Sequence, residues 1–315
     1  MFSVNDHRQR ALYLCNDGQL FQGMHDGQCI TTTLGVEFAD MTNLHIGTSA
    51  FTAAGWDNAF YPEGMKPADY LTYYATKFDT VEVDSTFYRT PSAATVNGWE
   101  RKTPAGFILA AKVPQIITHE KILQECDDDL KHFLETMDLM GDKLGPLLFQ
   151  FGYFNKSAFK SGKEFLARLE PFLKKLPKGY RFAVEIRNKQ WLTAEFFDLL
   201  REHKVAYALI DQAWMPRVNE IFEKLDPITA DFAYIRLLGD RKGIEQKTKI
   251  WDKVIVDRSK ELMSWVNVCQ RTVRRGISTY VYINNHYAGF APATVEQFQK
   301  LWKAAGRRQK FYRRR

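Results

Sequence analysis

Charged side chains alternate with apolar ones at the ends of short segments of this 315-residue chain. In the segment TVEVDSTF, Glu82 and Asp84 alternate with Val81 and Val83. Neighbouring side chains of a β-strand point to opposite faces, so this spacing places both carboxylates on one face and both valines on the other. Carboxylates grouped in this way are typical of sites that transfer protons.

Polar residues end other apolar segments in the same manner. Glu185 and Arg187 share a face that excludes Val184 and Ile186. Further segments end in Lys112, Gln150, Asp211, Arg236, Asn284 and Asn285. A buried charge without a partner costs several kcal/mol, so these groups must pair, reach water or bind a ligand. A structural salt-bridge network explains any one pair, whereas a ring drawn from many segments favours a ligand site.

Eight apolar segments with the composition of β-strands must position these groups. They are LHIGTS from Leu44, TVEVDSTF from Thr80, FILAAKV from Phe107, PLLFQF from Pro146, RFAVEIR from Arg181, VAYALID from Val205, FAYIRLLG from Phe232 and STYVYINN from Ser278. Segments with helical spacing separate them, which indicates repeated βα units around a parallel sheet. Eight units predict an α/β fold of the closed (β/α)8 type, the TIM barrel, whose active sites lie at the carboxyl ends of the strands.

Helix-starting residues support this division of the chain. Pro67, Ser92 and Thr193 stand where helices are expected to begin. The acidic run from Asp127 to Asp129 resembles a metal-binding cluster, but carboxylates are also favoured at a helix N-terminus, and we interpret the run as a helix start. We predict one barrel domain at residues 44–305, a loosely structured extension at 1–43 and a basic tail at 306–315.

The net charge of +7 is concentrated in the basic tail. Its cations are Arg307, Arg308, Lys310, Arg313, Arg314 and Arg315. Without these six the chain carries a formal charge of only +1. Contact with nucleic acid is therefore expected to be weak and confined to the tail, and a merely solvated end is the alternative.

Several classes of protein are excluded or disfavoured by composition. No apolar run approaches the roughly 20 residues that cross a bilayer, which predicts a cytoplasmic protein without a membrane partner. The four cysteines are scattered without a CxxC pair, which indicates reduced structural thiols. The chain also lacks the GxxxxGK[ST] spacing of a P-loop.

Histidines and aromatic residues near the segment ends complete the candidate site. His119 and His286 are the histidines near the expected rim, too few for a typical catalytic metal site, so we predict neither a metal nor a cofactor. Tyr88 and Trp191 could stack on a sugar or a base, or could instead cover the core. The loop GDRKG from Gly239 is a candidate anion-binding loop.

Motifs in chain order resemble a known family. They are IGTSAF, FYPEG, TVEVDSTFYRTPS, KVPQIITH, LGPLLFQF, AVEIR and YINNHYAGFAP. Over Leu44 to Leu301 the chain resembles the YecE-like family, domain of unknown function 72. The resemblance implies a TIM barrel, similar in shape to metal-dependent sugar isomerases and apurinic-site endonucleases, but no settled reaction. The chain departs from the family pattern at Asp84, where Asn is usual, and at Leu238, where His is usual.

These observations favour an enzyme, of hydrolase or isomerase type, that acts without a metal on a sugar-like, phosphorylated or nucleotide-like ligand. The predicted catalytic residues are Glu82, Glu185, Asp211 and His286. The predicted ligand-binding residues are Asp84, Tyr88, Lys112, His119, Gln150, Arg187, Trp191, Arg236, Asn284 and Asn285. The alternatives are a nucleic-acid-binding protein or repair-type phosphodiesterase, and a non-catalytic small-molecule binding protein.

Overall fold

The computed structural model describes residues 43–312 and two short strands, Tyr13–Leu14 and Leu20–Phe21. These two strands pair antiparallel with each other. The rest of the predicted extension, and residues 313–315 of the basic tail, lie outside the described residues. The predicted loose structure of the extension therefore stays a prediction.

Eight parallel strands form the barrel. They are β1 (Leu44–Thr48), β2 (Thr80–Val83), β3 (Ile108–Lys112), β4 (Leu144–Gln150), β5 (Phe182–Glu185), β6 (Ala206–Gln212), β7 (Phe232–Gly239) and β8 (Ser278–Ile283). Strands β2 to β8 pair in sequence order, and β8 pairs with β1. This arrangement confirms the predicted TIM-barrel fold, with one gap in the ladder between β1 and β2.

Helices follow the strands as the spacing predicts. They are α1 (Tyr70–Tyr74), α2 (Ala93–Lys102), α3 (Asp127–Met137), α4 (Gly162–Lys175), α5 (Ala194–Glu202), α6 (Val218–Lys224), α7 (Arg241–Glu245), α8 (Ser259–Arg274), α9 (Asn285–Ala288) and α10 (Ala291–Tyr312). The Ser92 and Thr193 side chains cap α2 and α5 by accepting from backbone amides. Helix α3 begins at Asp127, as interpreted from its acidic run. Helix α10 continues past residue 305, so the basic tail begins within a helix.

The barrel interior combines small side chains with large ones. Alanines of β3, β5 and β6 form one cluster with tyrosines of β7 and β8: Ala110, Ala183, Ala206, Ala208, Tyr234, Tyr280 and Tyr282. The alanines leave the space that the long side chains need, which keeps the interior close-packed. A larger apolar cluster lies between the strands and the helices. Long side chains from β7 can therefore reach across the barrel.

The gap between β1 and β2 is bridged by the hydroxyl of Tyr74, a fully buried residue of α1. This hydroxyl accepts from the backbone amide of Thr48 at 2.9 Å and donates to the carbonyl of Thr80 at 3.0 Å. Gly47 allows the close approach, because a Cβ at that position would lie 2.0 Å from the Thr80 carbonyl oxygen. A side chain from outside the barrel thus replaces the missing ladder bonds at this seam.

Tyr74→Phe should lower the free energy of unfolding by about 1–3 kcal/mol, because it leaves a buried amide and a buried carbonyl without their partner. Urea unfolding measures this loss. Tyr73→Phe, on the same helix, is the matched control and should change stability by no more than about 0.5 kcal/mol. Equal stability of the two variants would contradict a bridging role for the Tyr74 hydroxyl.

Candidate functional site

Arg236 of β7 lies at the centre of an ion network at the carboxyl ends of the strands. Its Nε lies 2.9 Å from Oε2 of Glu82, and its Nη2 lies 2.7 Å from Oε1 of the same residue. Its Nη1 donates to Oε2 of Glu185 at 2.6 Å. Because Glu82 belongs to β2 and Glu185 to β5, one guanidinium joins three strands across the interior.

The two glutamates are fully buried and have different electrostatic environments. Burial raises the pKa of Glu82, while Arg236 and the Tyr234 hydroxyl, which donates to Oε2 at 2.5 Å, oppose that rise. Burial acts on Glu185 in the same direction, but Arg236 and Arg187 outweigh it and hold the pKa of Glu185 below its ordinary value. Both carboxylates accept hydrogen bonds from cations, so the network favours their ionised forms.

Arg187 extends the network toward the outside. Its Nε donates to Oε1 of Glu185 at 2.8 Å, and about a quarter of its side chain is exposed. No other hydrogen bond from its guanidinium is made within the described part of the chain. Arg187 therefore retains donors that a ligand could use.

Gln150 pairs in register with Glu185 and donates through Nε2 to the Phe151 carbonyl at 2.6 Å.

Lys112 lies at the end of β3 beside the network and is 9 % exposed. Its Nζ lies 3.9 Å from Oδ1 of Asp84 and 3.9 Å from the centre of the Phe87 ring. Burial lowers the pKa of Lys112, and Asp84 opposes that change. Oδ1 of Asp84 also lies 3.5 Å from Nη2 of Arg236, so this carboxylate faces two cations without a short bond to either.

His119 lies on a π-helical segment, Ile116–Glu120, that follows β3. Its ring meets the Phe87 ring edge to face at 5.0 Å, and its Nδ1 lies 2.8 Å from the Thr118 hydroxyl. Burial lowers the pKa of His119, and the charges of Lys112 and Arg187 lower it further. The neutral ring is therefore favoured at physiological pH.

Three buried polar atoms at the ends of different strands have no hydrogen-bond partner among the described residues. They are Oγ of Ser49, Oδ1 of Asp84 and Oε1 of Gln212. Ser49 directly follows β1, Asp84 directly follows β2 and Gln212 is the last residue of β6. Buried polar atoms are nearly always paired, so three such atoms at one end of a barrel indicate a place for water or a ligand. Sequence reasoning missed Ser49 and Gln212, although both stand at segment ends.

Asp211, a predicted catalytic residue, points away from the barrel interior. Its Oδ2 accepts from Nε1 of Trp265 at 2.8 Å and from the Tyr287 hydroxyl at 3.1 Å. Trp265 belongs to α8, and a separate cavity of about 280 Å³ adjoins Asp211 there. In β6 the alanines 206 and 208 pack inside, so alternation sends Asp211 outward and Gln212 inward.

The side chains from the end of β8 serve local structure. His286 has both ring nitrogens engaged, Nδ1 with Asn284 Oδ1 at 2.5 Å and Nε2 with Glu245 Oε1 at 3.0 Å. Burial lowers the pKa of His286, and the bond to Glu245 opposes that change. Asn285 accepts from the Trp56 indole at 3.3 Å and from the Ala291 amide at 2.9 Å. Asn284 and His286 thus lie at the rim, while Asn285 fixes the start of α10.

The GDRKG loop uses its polar groups internally. The Gly243 amide donates to Oδ1 of Asp240 at 3.1 Å, and Nε of Arg241 donates to Oε1 of Glu245 at 2.8 Å. Internal bonds therefore occupy an amide and the Nε donor that the sequence suggested for anion binding.

The two predicted stacking residues, Trp191 and Tyr88, have different surroundings. Trp191 stacks on Phe165 at 5.1 Å and on Phe154 at 6.0 Å, which makes it a cover over the core, one of the two alternatives for this residue. Tyr88 is 73 % exposed. Its neighbour Phe87, which the sequence analysis did not select, is the ring that contacts Lys112 and His119.

Comparison with known families decides the relationship of this chain. The model of the family described as protein of unknown function DUF72 matches residues 45–314. The chain belongs to this family. The resemblance seen in the motifs is therefore confirmed.

Individual DUF72 relatives agree with this assignment. UPF0759 protein YecE of Escherichia coli K12 is 31% identical over 121 residues, which are 38% of this chain and 42% of YecE. UPF0759 protein YunF of Bacillus subtilis is 29% identical over 162 residues, 49% of this chain and 54% of YunF. The matched segments thus span about half, or less, of the length of these curated relatives.

Solved DUF72 structures have the same fold. A DUF72 protein from Thermotoga maritima has a TM-score of 0.63 and 26% identity, covering 82% of this chain and 99% of its own. A DUF72 protein from Enterococcus faecalis has a TM-score of 0.59 at 19% identity, covering 82% and 97%. The second likeness shows the fold alone.

Two features are absent from the described part of this DUF72 chain. No helix there is both long and apolar enough to span a bilayer. No group of three His, Cys, Asp or Glu side chains there is arranged to hold a metal ion.

Cys126 and Cys269 are buried free thiols, and burial raises the pKa of Cys126 to about 11.

Arg236→Met should lower the free energy of unfolding of this DUF72 barrel by about 3–5 kcal/mol at neutral pH, because both buried glutamates lose a cation. The loss should shrink as the pH falls, since unpaired buried carboxylates take up protons. In the wild type the two glutamates act in opposite directions. The lowered pKa of Glu185 adds stability that is complete above about pH 4.3 and is lost as the pH falls through the lowered value, whereas the raised pKa of Glu82 costs stability as the pH rises above about 4.3. Urea unfolding across this pH range measures both trends.

The control for this experiment is Arg236→Met combined with Glu82→Gln and Glu185→Gln, which removes the uncompensated charges. Its stability at neutral pH should exceed that of Arg236→Met alone. If Arg236→Met were as stable as the wild type at every pH, the ion network would not hold the strands together.

Proposed function

We propose that this DUF72 protein is an enzyme that acts without a metal on a small sugar-like or phosphorylated molecule at the carboxyl ends of the barrel strands. The observation that carries the proposal is that Ser49, Asp84 and Gln212, at the ends of three strands, each have a buried polar atom without a hydrogen bond to a described residue, and that Asp84 lies beside the ion network. Barrel enzymes hold their substrates at this end.

The unpartnered atoms favour a ligand with hydroxyl groups. Oε1 of Gln212 and Oδ1 of Asp84 are acceptors, and the Ser49 hydroxyl can donate or accept. A buried group without a partner costs about 1–3 kcal/mol, which a bound hydroxyl would recover at Ser49 and Gln212. Sugars carry several hydroxyls on one small frame and so match acceptors that come from three strands.

Cations at the same end of the barrel favour an anionic group on the same ligand. Arg187 is partly exposed and uses only its Nε within the network. Nζ of Lys112 makes no short bond to an acceptor among the described residues, which leaves it available to another part of the ligand. A phosphate or a carboxylate would accept charge-assisted hydrogen bonds from the remaining donors of Arg187.

The carboxylates divide into positioning groups and one accessible group. Glu82 and Glu185 are fully buried and bonded to arginines, so we assign them the role of holding Arg236 and Arg187 in place. Asp84 has about a third of its side chain exposed, and we assign it proton transfer to and from the ligand. A non-catalytic binding protein would share the ligand but release it unchanged.

Sugar phosphates should raise the melting temperature of the protein, because a ligand that binds only the folded state stabilises it. A ligand concentration of 100 times Kd adds about 2.7 kcal/mol to the free energy of unfolding. The probes are glucose 6-phosphate, ribose 5-phosphate and AMP, each with a chelator present, and glucose, ribose and adenosine are their uncharged controls. For a phosphate probe that raises the melting temperature, Arg187→Met should weaken binding by about 10–100-fold, because the substitution removes a charged hydrogen bond. Calorimetry measures the affinity.

Asp211→Asn is the matched control, because Asp211 is also an acid at a strand end but points outward. Its affinity for the probe should equal that of the wild type. Product formation detected by mass spectrometry separates an enzyme from a binding protein. Equal binding of the charged and uncharged probes, or equal weakening by both substitutions, would contradict the proposed site.

A second candidate function is weak contact with nucleic acid through the basic tail. The tail continues helix α10, on which Arg307 is exposed, so its first cations lie on a helix rather than a separate segment. Replacing Arg307, Arg308, Lys310, Arg313, Arg314 and Arg315 by Gln should reduce the salt dependence of oligonucleotide binding, by about 0.7 in the log–log slope for each phosphate that the tail no longer neutralises.

Fluorescence anisotropy with a single-stranded oligonucleotide at several salt concentrations measures this slope. Glu185→Gln is the control, since a change inside the barrel should leave binding by the tail intact. Binding that is insensitive to salt, or unchanged by the six substitutions, would remove this candidate.

A further inference from the structure

Lys112, which is buried, and Lys143, which is half-buried, differ in what their ammonium groups contact. Nζ of Lys143 lies 2.6 Å from the Glu100 carbonyl, 2.9 Å from Oε1 of Glu100 and 2.7 Å from the Thr103 carbonyl. Nζ of Lys112 has no hydrogen bond to any described residue, and its nearest carboxylate oxygen is 3.9 Å away. A structural lysine is expected to look like Lys143. Lys112 instead retains hydrogen-bonding capacity on Nζ that no described residue uses.

The surroundings of Lys112 act on its protonation in both directions. Its Nζ lies 3.9 Å from the centre of the Phe87 ring, a cation–π contact that favours the ammonium form. Burial and the charge of Arg236 lower the pKa of Lys112, whereas Asp84, Glu82 and Glu185 oppose that change. Desolvation and a neighbouring cation are the two conditions that activate a lysine as a nucleophile.

We propose that Lys112 is a catalytic residue whose amine forms an imine with the carbonyl carbon of a substrate that also bears a phosphate or carboxylate group. This inference rests on the proposed function and names the substrate class of that site. Open-chain sugar phosphates and 2-oxo acids are the compounds with this chemistry.

The step is balanced within the site. The Nζ lone pair attacks the carbonyl carbon, a C–N bond forms, and the carbonyl oxygen takes up a proton. The carbinolamine then loses water, made of that oxygen and the two protons of the amine, and the C=N bond remains. Asp84, 3.9 Å from Nζ, carries the protons between nitrogen and oxygen, and Arg187 binds the anionic group. No oxidant or reductant is required.

Borohydride reduction followed by peptide mass spectrometry tests the proposal, because it converts an imine into a stable secondary amine. The probes are dihydroxyacetone phosphate and pyruvate, which distinguish a phosphate from a carboxylate. We expect a reduced adduct on Lys112 and none on Lys143, with a yield that rises with pH at a midpoint below the ordinary lysine value of about 10.4. Lys112→Met should abolish the adduct.

Formaldehyde with cyanoborohydride provides a second measurement that needs no specific ligand contacts. Lys112 should be methylated faster than Lys143 near neutral pH. For the Lys112→Met variant, thermal melting should show that the protein remains folded. Equal rates for the two lysines, or adducts of the larger probes spread over exposed lysines, would overturn the proposal.

Calorimetry with the same two probes and the Lys112→Met variant separates the two levels of inference. If a probe binds wild type and variant but leaves no adduct on the wild type, imine formation is overturned while the ligand site stands. If neither probe binds nor labels the wild type, the carbonyl substrate class is overturned. If sugar phosphates also fail to bind, the proposed function falls with it.

Discussion

The guanidinium of Arg236 is the group on which the arrangement of this barrel end depends. It accounts for both buried glutamates, because it pairs with Glu82 on one strand and Glu185 on another. Removing two carboxylates and a guanidinium from water costs several kcal/mol per ion, and only short, well-directed bonds offset that cost. The network is therefore better understood as a device that fixes strand ends than as a source of net stability.

The barrel interior is built so that this network can form. Alanines on β3, β5 and β6 leave room for long side chains from β7, and Tyr234 uses that room to donate to Glu82. On the far side, Tyr74 bridges β1 and β2 where the ladder is open. Small residues thus permit contacts across the barrel, and hydroxyl groups satisfy the backbone and carboxylate atoms that the packing buries.

The site differs from the network in being incomplete. Every oxygen of Glu82 and Glu185 has a partner, whereas Ser49, Gln212 and Asp84 each retain a buried atom without one among the described residues. Natural proteins accept such unsatisfied groups mainly where function requires them. A preorganised binding site combines fully bonded supporting groups with groups whose bonding capacity is left for the ligand.

The sequence by itself determined the fold and most of the inward-facing charges. Eight apolar segments separated by helical spacing require a βα barrel, and alternation put Glu82, Lys112 and Arg236 on the inner face, because side chains in a strand must alternate. Only the tertiary structure decided which way Asp211 points. Alternation shows which residues of β6 share a face but not which face is the inner one, and the inner face carries only the small residues Ala206 and Ala208 before Ile210. It also decided which groups are satisfied, since hydrogen-bond partners come from strands and helices far apart in the chain.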